Sequence, residues 1–106
     1  MKAQISVENI THAQAKERLG QPGLVVVDVR EPEEYHAGHI PGAILFPLST
    51  IREASAAERI PSKETPLLVY CRSGARSKRA AAMLSLLGYQ KVADMGGLIG
   101  WDGPLE

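Results

Sequence analysis

Leu67-Leu68-Val69-Tyr70-Cys71-Arg72-Ser73-Gly74-Ala75-Arg76-Ser77-Lys78-Arg79 decides how this chain folds. Leu67 to Tyr70 predicts a short buried strand, Cys71 to Arg76 a tight loop, and the following Ala80 to Leu87 a helix. The only cysteine of the chain therefore falls where a strand ends and a helix is about to begin.

That position has a chemical consequence. The first N–H groups of a helix lack intrahelical partners, and the helix dipole adds partial positive charge there. Gly74 lets successive N–H groups of a short loop turn inward as an anion cup. Arg72 and Arg76 add full charges beside it. Such a setting favours the thiolate, which is the reactive form of cysteine, and the same cup suits an anionic substrate. A buried structural cysteine is the commoner fate of a lone thiol, but it gains nothing from flanking arginines and a glycine-bearing turn.

Working outward, 106 residues fit one domain, 1–106, with a real core. Twelve Lys plus Arg balance 12 Asp plus Glu, so no global field draws the chain to nucleic acid or an acidic membrane. Locally the balance fails. No acid lies between Glu64 and Asp94, a span that holds Arg72, Arg76, Lys78, Arg79 and Lys91. Acids gather earlier, at Asp28, Glu31, Glu33 and Glu34. One cysteine excludes an internal disulfide and a Cys-rich zinc site. A thiol that must stay reactive suits a reducing compartment, so a cytoplasmic location is expected. Met1 to Ile10 has no apolar signal core, and no run approaches a membrane span.

Along the chain, Gln4 to Val7 predicts a first strand. Thr11 with Gln14 predicts a capping box for a helix over Ala13 to Leu19, with Gly20 past its end and His12 on the surface. Leu24 to Val29 is a largely β-branched apolar run that ends in Asp28 and Arg30, the mark of a strand covered on both faces. Pro32 to Tyr35 predicts a short helix with proline in its first turn. His36 to Ala43 is a loop entering a strand at Ile44 to Phe46. Leu48 to Ile60 predicts a covering helix begun by Ser49 or Thr50. Gly88 closes the helix after the cysteine. Tyr89 to Ala93 predicts the last strand, and Gly96 to Trp101 a turn with a short closing helix in which Trp101 packs on the core. His36 and His39, in a Gly/Pro-rich loop without a third ligand, make a poor metal site. Pairing of one of them with Cys71 as a base is an alternative, although the arginine cup already offers a way to stabilise the thiolate.

Strands alternating with helices predict a parallel sheet with helices on both faces. Sites in such sheets lie beyond the strand C-termini. Asp28 and Cys71 are expected at the same edge, with the acids from Asp28 to Glu34 available to pair with the loop arginines.

The residues resemble the rhodanese family. The matching pieces are Asp28-Val29-Arg30-Glu31-Pro32-Glu33-Glu34-Tyr35, Gly38-His39-Ile40-Pro41-Gly42-Ala43, Val69 to Ser77, Leu87-Gly88-Tyr89, and Gly96-Gly97 with Trp101. Their order and spacing cover nearly the whole chain, and its length is similar to that of the small stand-alone sulfurtransferases. The resemblance implies a rhodanese-like α/β fold with a five-stranded parallel sheet. It implies that Cys71 accepts a sulfane sulfur as a persulfide, and that Arg72, Ser73, Gly74, Ala75 and Arg76 cradle it and the donor oxyanion. Asp28 and Arg30 are expected to support the loop. The arginine-rich loop looks more like that of a thiosulfate user than that of the mercaptopyruvate users, whose loops carry glycine after the cysteine.

The chemistry then calls for a small anionic sulfur donor and an acceptor such as cyanide, a thiol or a thioredoxin-like protein, in double displacement. No metal or organic cofactor is expected, and the small, neutral chain suits a monomer. One rival is a cysteine-dependent phosphatase or arsenate reductase. Those loops resemble Cys-x5-Arg, whereas Cys71 to Arg76 is Cys-x4-Arg, a smaller cup with no evident general acid. Another rival is a relay that carries persulfide to a partner protein.

Overall fold

The two continuous apolar runs become adjacent central strands. The computed structural model describes residues 4–106. Its elements are β1 (Val7–Asn9), α1 (His12–Arg18), β2 (Val25–Asp28), α2 (Pro32–Ala37), β3 (Ile44–Leu45), a 3-10 turn (Leu48–Thr50), α3 (Glu53–Arg59), β4 (Leu67–Cys71), α4 (Ala75–Leu86) and β5 (Val92–Gly97). All strand pairs are parallel, in the order β1-β5-β4-β2-β3. Every residue of β4 is buried, as its central place requires.

Side chains alternate across a strand, and this alternation divides the core. Val27, Val29, Val69 and Cys71 join Ala80, Ala81 and Leu84 of α4 and Ala56 of α3 on one face. Val26, Leu68 and Tyr70 join Ala15 of α1 on the other, with Tyr35 of α2 and Trp101 packed against them. Complete burial of Leu84 contributes about 2 kcal/mol. Asp28 aligns with Tyr70 across β2 and β4, so Asp28 and Cys71 do share an edge.

The Thr11–Gln14 capping box is present. Gly88 has φ +106°, and the bonds Gly88 N–H to Ser85 O and Tyr89 N–H to Leu84 O close α4 as a Schellman motif.

Several boundaries differ from expectation. β1 starts at Val7 rather than Gln4, because its pairing with β5 begins at Val7–Val92, and Ile5 stays exposed. The helix expected over Leu48 to Ile60 is broken. Ile51 turns extended and buries its side chain, while Ser55 Oγ accepts from Arg52 N–H and donates to Thr50 O, a local alternative to helix. α4 begins at Ala75 instead of Ala80, so Arg76 lies in a helix rather than a loop. Its start is set by Gly74 (φ +104°), whose carbonyl receives Ser77 Oγ–H at 3.1 Å. The last strand is Val92–Gly97, not Tyr89 to Ala93. Tyr89 instead belongs to the helix cap and donates its hydroxyl to Ala56 O at 3.0 Å. No helix follows; Leu98 to Gly100 is a turn closed by Trp101 N–H to Leu98 O.

Candidate active site

β4 delivers Cys71 to the C-terminal edge of the sheet, and α4 departs four residues later. The thiol is fully buried beneath the connecting turn, and Gly74 N–H donates to Sγ at 3.0 Å. The first helical bond of α4 is Lys78 N–H to Gly74 O. The N–H groups of Ala75, Arg76 and Ser77 therefore precede the ladder, and the positive end of the helix dipole lies beside the sulfur. Arg72, Ser73 and Ala75 are exposed on the outside of the turn.

The turn rests on the end of β5. Cys71 aligns with Gly97. A Cβ on Gly97 would stand 2.1 Å from Arg72 O and 2.6 Å from Ser73 Cα, so no larger residue fits beneath the turn. Leu98 N–H donates to Cys71 O at 3.0 Å, and Ile99 N–H to Arg72 O at 3.2 Å. Ser77 Oγ–H also lies 3.4 Å from Gly96 O, so one hydroxyl joins turn, helix and strand.

The two loop arginines are not equivalent. Arg76 donates through both terminal nitrogens to Glu34 in the first turn of α2. Arg76 sits at the positive end of a helix, and Glu34 offsets that repulsion. The hydrogen bonds from Arg76 hold the Glu34 carboxyl down at about 2, and they likewise raise the pKa of Arg76. Arg72 forms no ion pair among the described residues, which leaves it as the uncompensated charge of the turn.

The expected pairing of the acidic stretch with the loop arginines is made by Glu34, not by Asp28. Asp28 is fully buried and accepts from Arg30 N–H (2.9 Å), Arg30 Nη2 (2.7 Å) and Tyr70 O–H (2.6 Å). Tyr70 Oη accepts Ile40 N–H at 3.1 Å, and Arg30 Nη2 donates to Gly38 O at 2.7 Å. Burial, with the bond to Asp28 second, pushes the Tyr70 hydroxyl pKa up and keeps it a donor. This cluster ties the Gly38–Ile40 loop to the residue preceding Cys71.

His39 stacks on Tyr35 with ring centroids 3.7 Å apart and places Nδ1 2.9 Å from Tyr35 O, while His36 is exposed. Among the described residues no three His, Cys, Asp or Glu side chains gather as a metal site. His12 is not a plain surface residue. It is half-buried, with Nε2 2.8 Å from Gly97 O and its ring edge-on to Trp101. A groove of about 480 Å³ opens at the other end of the sheet, past Glu8, Arg18, Pro66 and Lys91, and holds none of the expected site residues. Sequence reasoning missed the supports Tyr70, Ser77 and His12. The Gly96-Gly97 pair, read from the sequence as the start of a turn, was the one available sign of a close backbone approach.

The rhodanese-like domain family matches residues 11–103. Thiosulfate sulfurtransferase PspE of Escherichia coli K12 is 42% identical over 72 residues, 68% of each chain. Thiosulfate sulfurtransferase GlpE of Pseudoalteromonas translucida is 33% identical over 101 residues, 92% of this chain and 91% of its own. Among solved structures, protein BH2092 of Bacillus halodurans has a TM-score of 0.81 at 33% identity, covering 93% of this chain and 76% of that one. A rhodanese with anions from E. coli has a TM-score of 0.71 at 36% identity, covering 78% and 96%.

Proposed function

The chain belongs to the rhodanese-like domain family, and from that premise we propose that it is a thiosulfate sulfurtransferase working through a persulfide on Cys71. The observation that carries this reading is the Gly74 N–H bonded to Sγ at the start of α4. It stabilises negative charge on sulfur before and after transfer.

Cys71 thiolate attacks the outer sulfur of thiosulfate. A new S–S bond forms, the old one breaks, and sulfite leaves with the electron pair. Arg72 and the first-turn N–H groups hold the donor dianion and the departing sulfite. Ser73 and Ala75 shape the rim. Arg76, held by Glu34, keeps the helix start in place. Asp28 and Arg30 act further back, through Tyr70. Because Sγ lies beneath the turn, the Arg72–Gly74 segment gives way as the donor enters. Cyanide or a thiol then attacks the outer persulfide sulfur and restores the thiolate. Displacement at sulfur proceeds in two half-reactions, so ping-pong kinetics follow. The acceptor in the cell is a thiol of a small molecule or a thioredoxin-like protein, in the cytoplasm, with the enzyme a monomer.

The pairing of Arg76 counts against the phosphatase reading, which needs that guanidinium free for phosphate oxygens. Intact mass tests the proposal. Thiosulfate should add one sulfur atom, and cyanide should remove it as thiocyanate. Cys71→Ser should take up none, since its alkoxide is out of reach near neutral pH. Uptake by Cys71→Ser, or none by the reduced wild type, would sink the mechanism.

A further inference from the structure

One peptide group separates His12 from the nucleophile. Its carbonyl, Gly97 O, lies 2.8 Å from His12 Nε2, and its N–H, on Leu98, donates to Cys71 O at 3.0 Å. A carbonyl only accepts, so Nε2 carries the proton. Glycine on both sides of the Gly96–Gly97 bond leaves this backbone freer to rotate than any other pair would. Gly97 cannot gain a side chain to stiffen it, because a Cβ there would meet Arg72 O and Ser73 Cα. The restraint on the Gly97–Leu98 plane therefore comes from outside the strand. His12 is placed to supply it. Thr11 caps α1 and starts the helix at His12, and Trp101 meets the ring edge-on at a centroid distance of 5.3 Å.

We propose that His12 is a positioning residue for sulfur transfer. It fixes the Gly97–Leu98 peptide plane, which in turn fixes the Cys71 carbonyl and the turn that brings Gly74 N–H to Sγ. The proposal rests on the sulfurtransferase reading for its kinetic arm only.

The test compares His12→Gln with His12→Met. The two side chains are close in size, and only Gln can donate to Gly97 O. In His12→Met, the Leu98 and Gly74 amides should exchange with solvent about threefold to tenfold faster, and kcat with thiosulfate and cyanide should fall by a similar factor with little change in KM. Val69 and Leu84 amides, deep in the core, should be unchanged. His12→Gln should recover most of both losses. Three results overturn the proposal: wild-type exchange and kcat in His12→Met, a loss in His12→Gln as large as in His12→Met, or equal acceleration at Val69 and Leu84. If the wild type takes up no sulfur at all, the sulfurtransferase reading fails, and exchange at Leu98 and Gly74 still decides the role of His12.

Discussion

Arg76 donates from both Nη1 and Nη2 to the Glu34 carboxylate, at 2.7 and 2.9 Å, and so joins the first turn of α4 to the first turn of α2. The pair is locally neutral. It leaves Arg72, exposed and without an ion pair among the described residues, as the uncompensated charge of the turn.

The two arginines should therefore differ in their effect on donor binding. Arg72→Ala is expected to raise KM for thiosulfate about tenfold, the scale of one charge-assisted contact. Arg76→Ala bares Glu34 beside the anion cup and should raise KM about threefold through repulsion. Glu34→Gln frees the Arg76 guanidinium and should lower KM. All three effects should shrink with added salt, since the groups are partly exposed. Steady-state kinetics at two ionic strengths check this. A larger KM effect from Arg76→Ala than from Arg72→Ala would reverse the assignment.

The same pair predicts a pH dependence of stability. The Glu34 carboxyl is depressed from 4.5 to about 2 by its bonds to Arg76. A carboxyl depressed in the folded state contributes stability that is fully present above its unfolded value and is lost as pH falls through the folded value. The stability gap between wild type and Glu34→Gln should thus be flat from neutral pH to about 5 and close between about 4.5 and 2. With both partners about one-third exposed, the gap itself should be about 1 kcal/mol at most. Urea midpoints across pH measure it. A gap that persists undiminished at the acid end would mean that Glu34 acts through packing instead.

The Asp28 cluster should matter more for stability than any surface pair. Tyr70→Phe removes the acceptor of Ile40 N–H and one donor to Asp28, an expected loss of about 1–3 kcal/mol. Asp28→Asn leaves the buried Arg30 guanidinium without its counter-charge and should cost about 3–5 kcal/mol. Denaturant unfolding ranks the two. Equal, small losses would show that solvent reaches Arg30 once its partner is gone.

The central strands were legible in the sequence because Leu24 to Val27 and Leu67 to Tyr70 are apolar runs, a pattern with one ready explanation in an alternating chain. The ends of helices were legible where a local device closes them, as at Thr11 and Gly88. The start of α4 was not. Arg76-Ser77-Lys78-Arg79 is polar by composition, and its helical state depends on Ser77 being buried against Gly74 and Gly96. β5 was placed too early for the same kind of reason, since Gly97 ends that strand with the backbone of Arg72 and Ser73 lying on it, and Gly96 before it takes a positive φ of +80°. At the site, the cysteine turn followed from residue type and order. Of the partners, the pairing of the acidic stretch with a loop arginine was anticipated, and Glu34 makes it with Arg76, 42 residues away; that Asp28 is instead satisfied by its near neighbour Arg30 and by Tyr70 was not.

Gly97 gives the most local test of how the turn is carried. Its pairing with Cys71 and the 2.1 Å approach of Arg72 O to a would-be Cβ mean that Gly97→Ala must push the turn away from β5. The obstacle is backbone on both sides, so no side-chain rotation relieves it. The displaced turn would take Gly74 N–H off Sγ, and transfer should fall at least about tenfold, the scale of losing a donor to charged sulfur. Gly42→Ala is the control. It has a positive φ of +82°, which Gly97 does not share, and nothing within 4 Å of its Cβ, so it bears backbone strain without contact, the reverse of Gly97. Sulfur uptake by mass and kcat for both variants separate the effects. If Gly97→Ala retains the turnover of Gly42→Ala, the turn is not seated on β5 during transfer, and the support assigned to Gly97 falls with it.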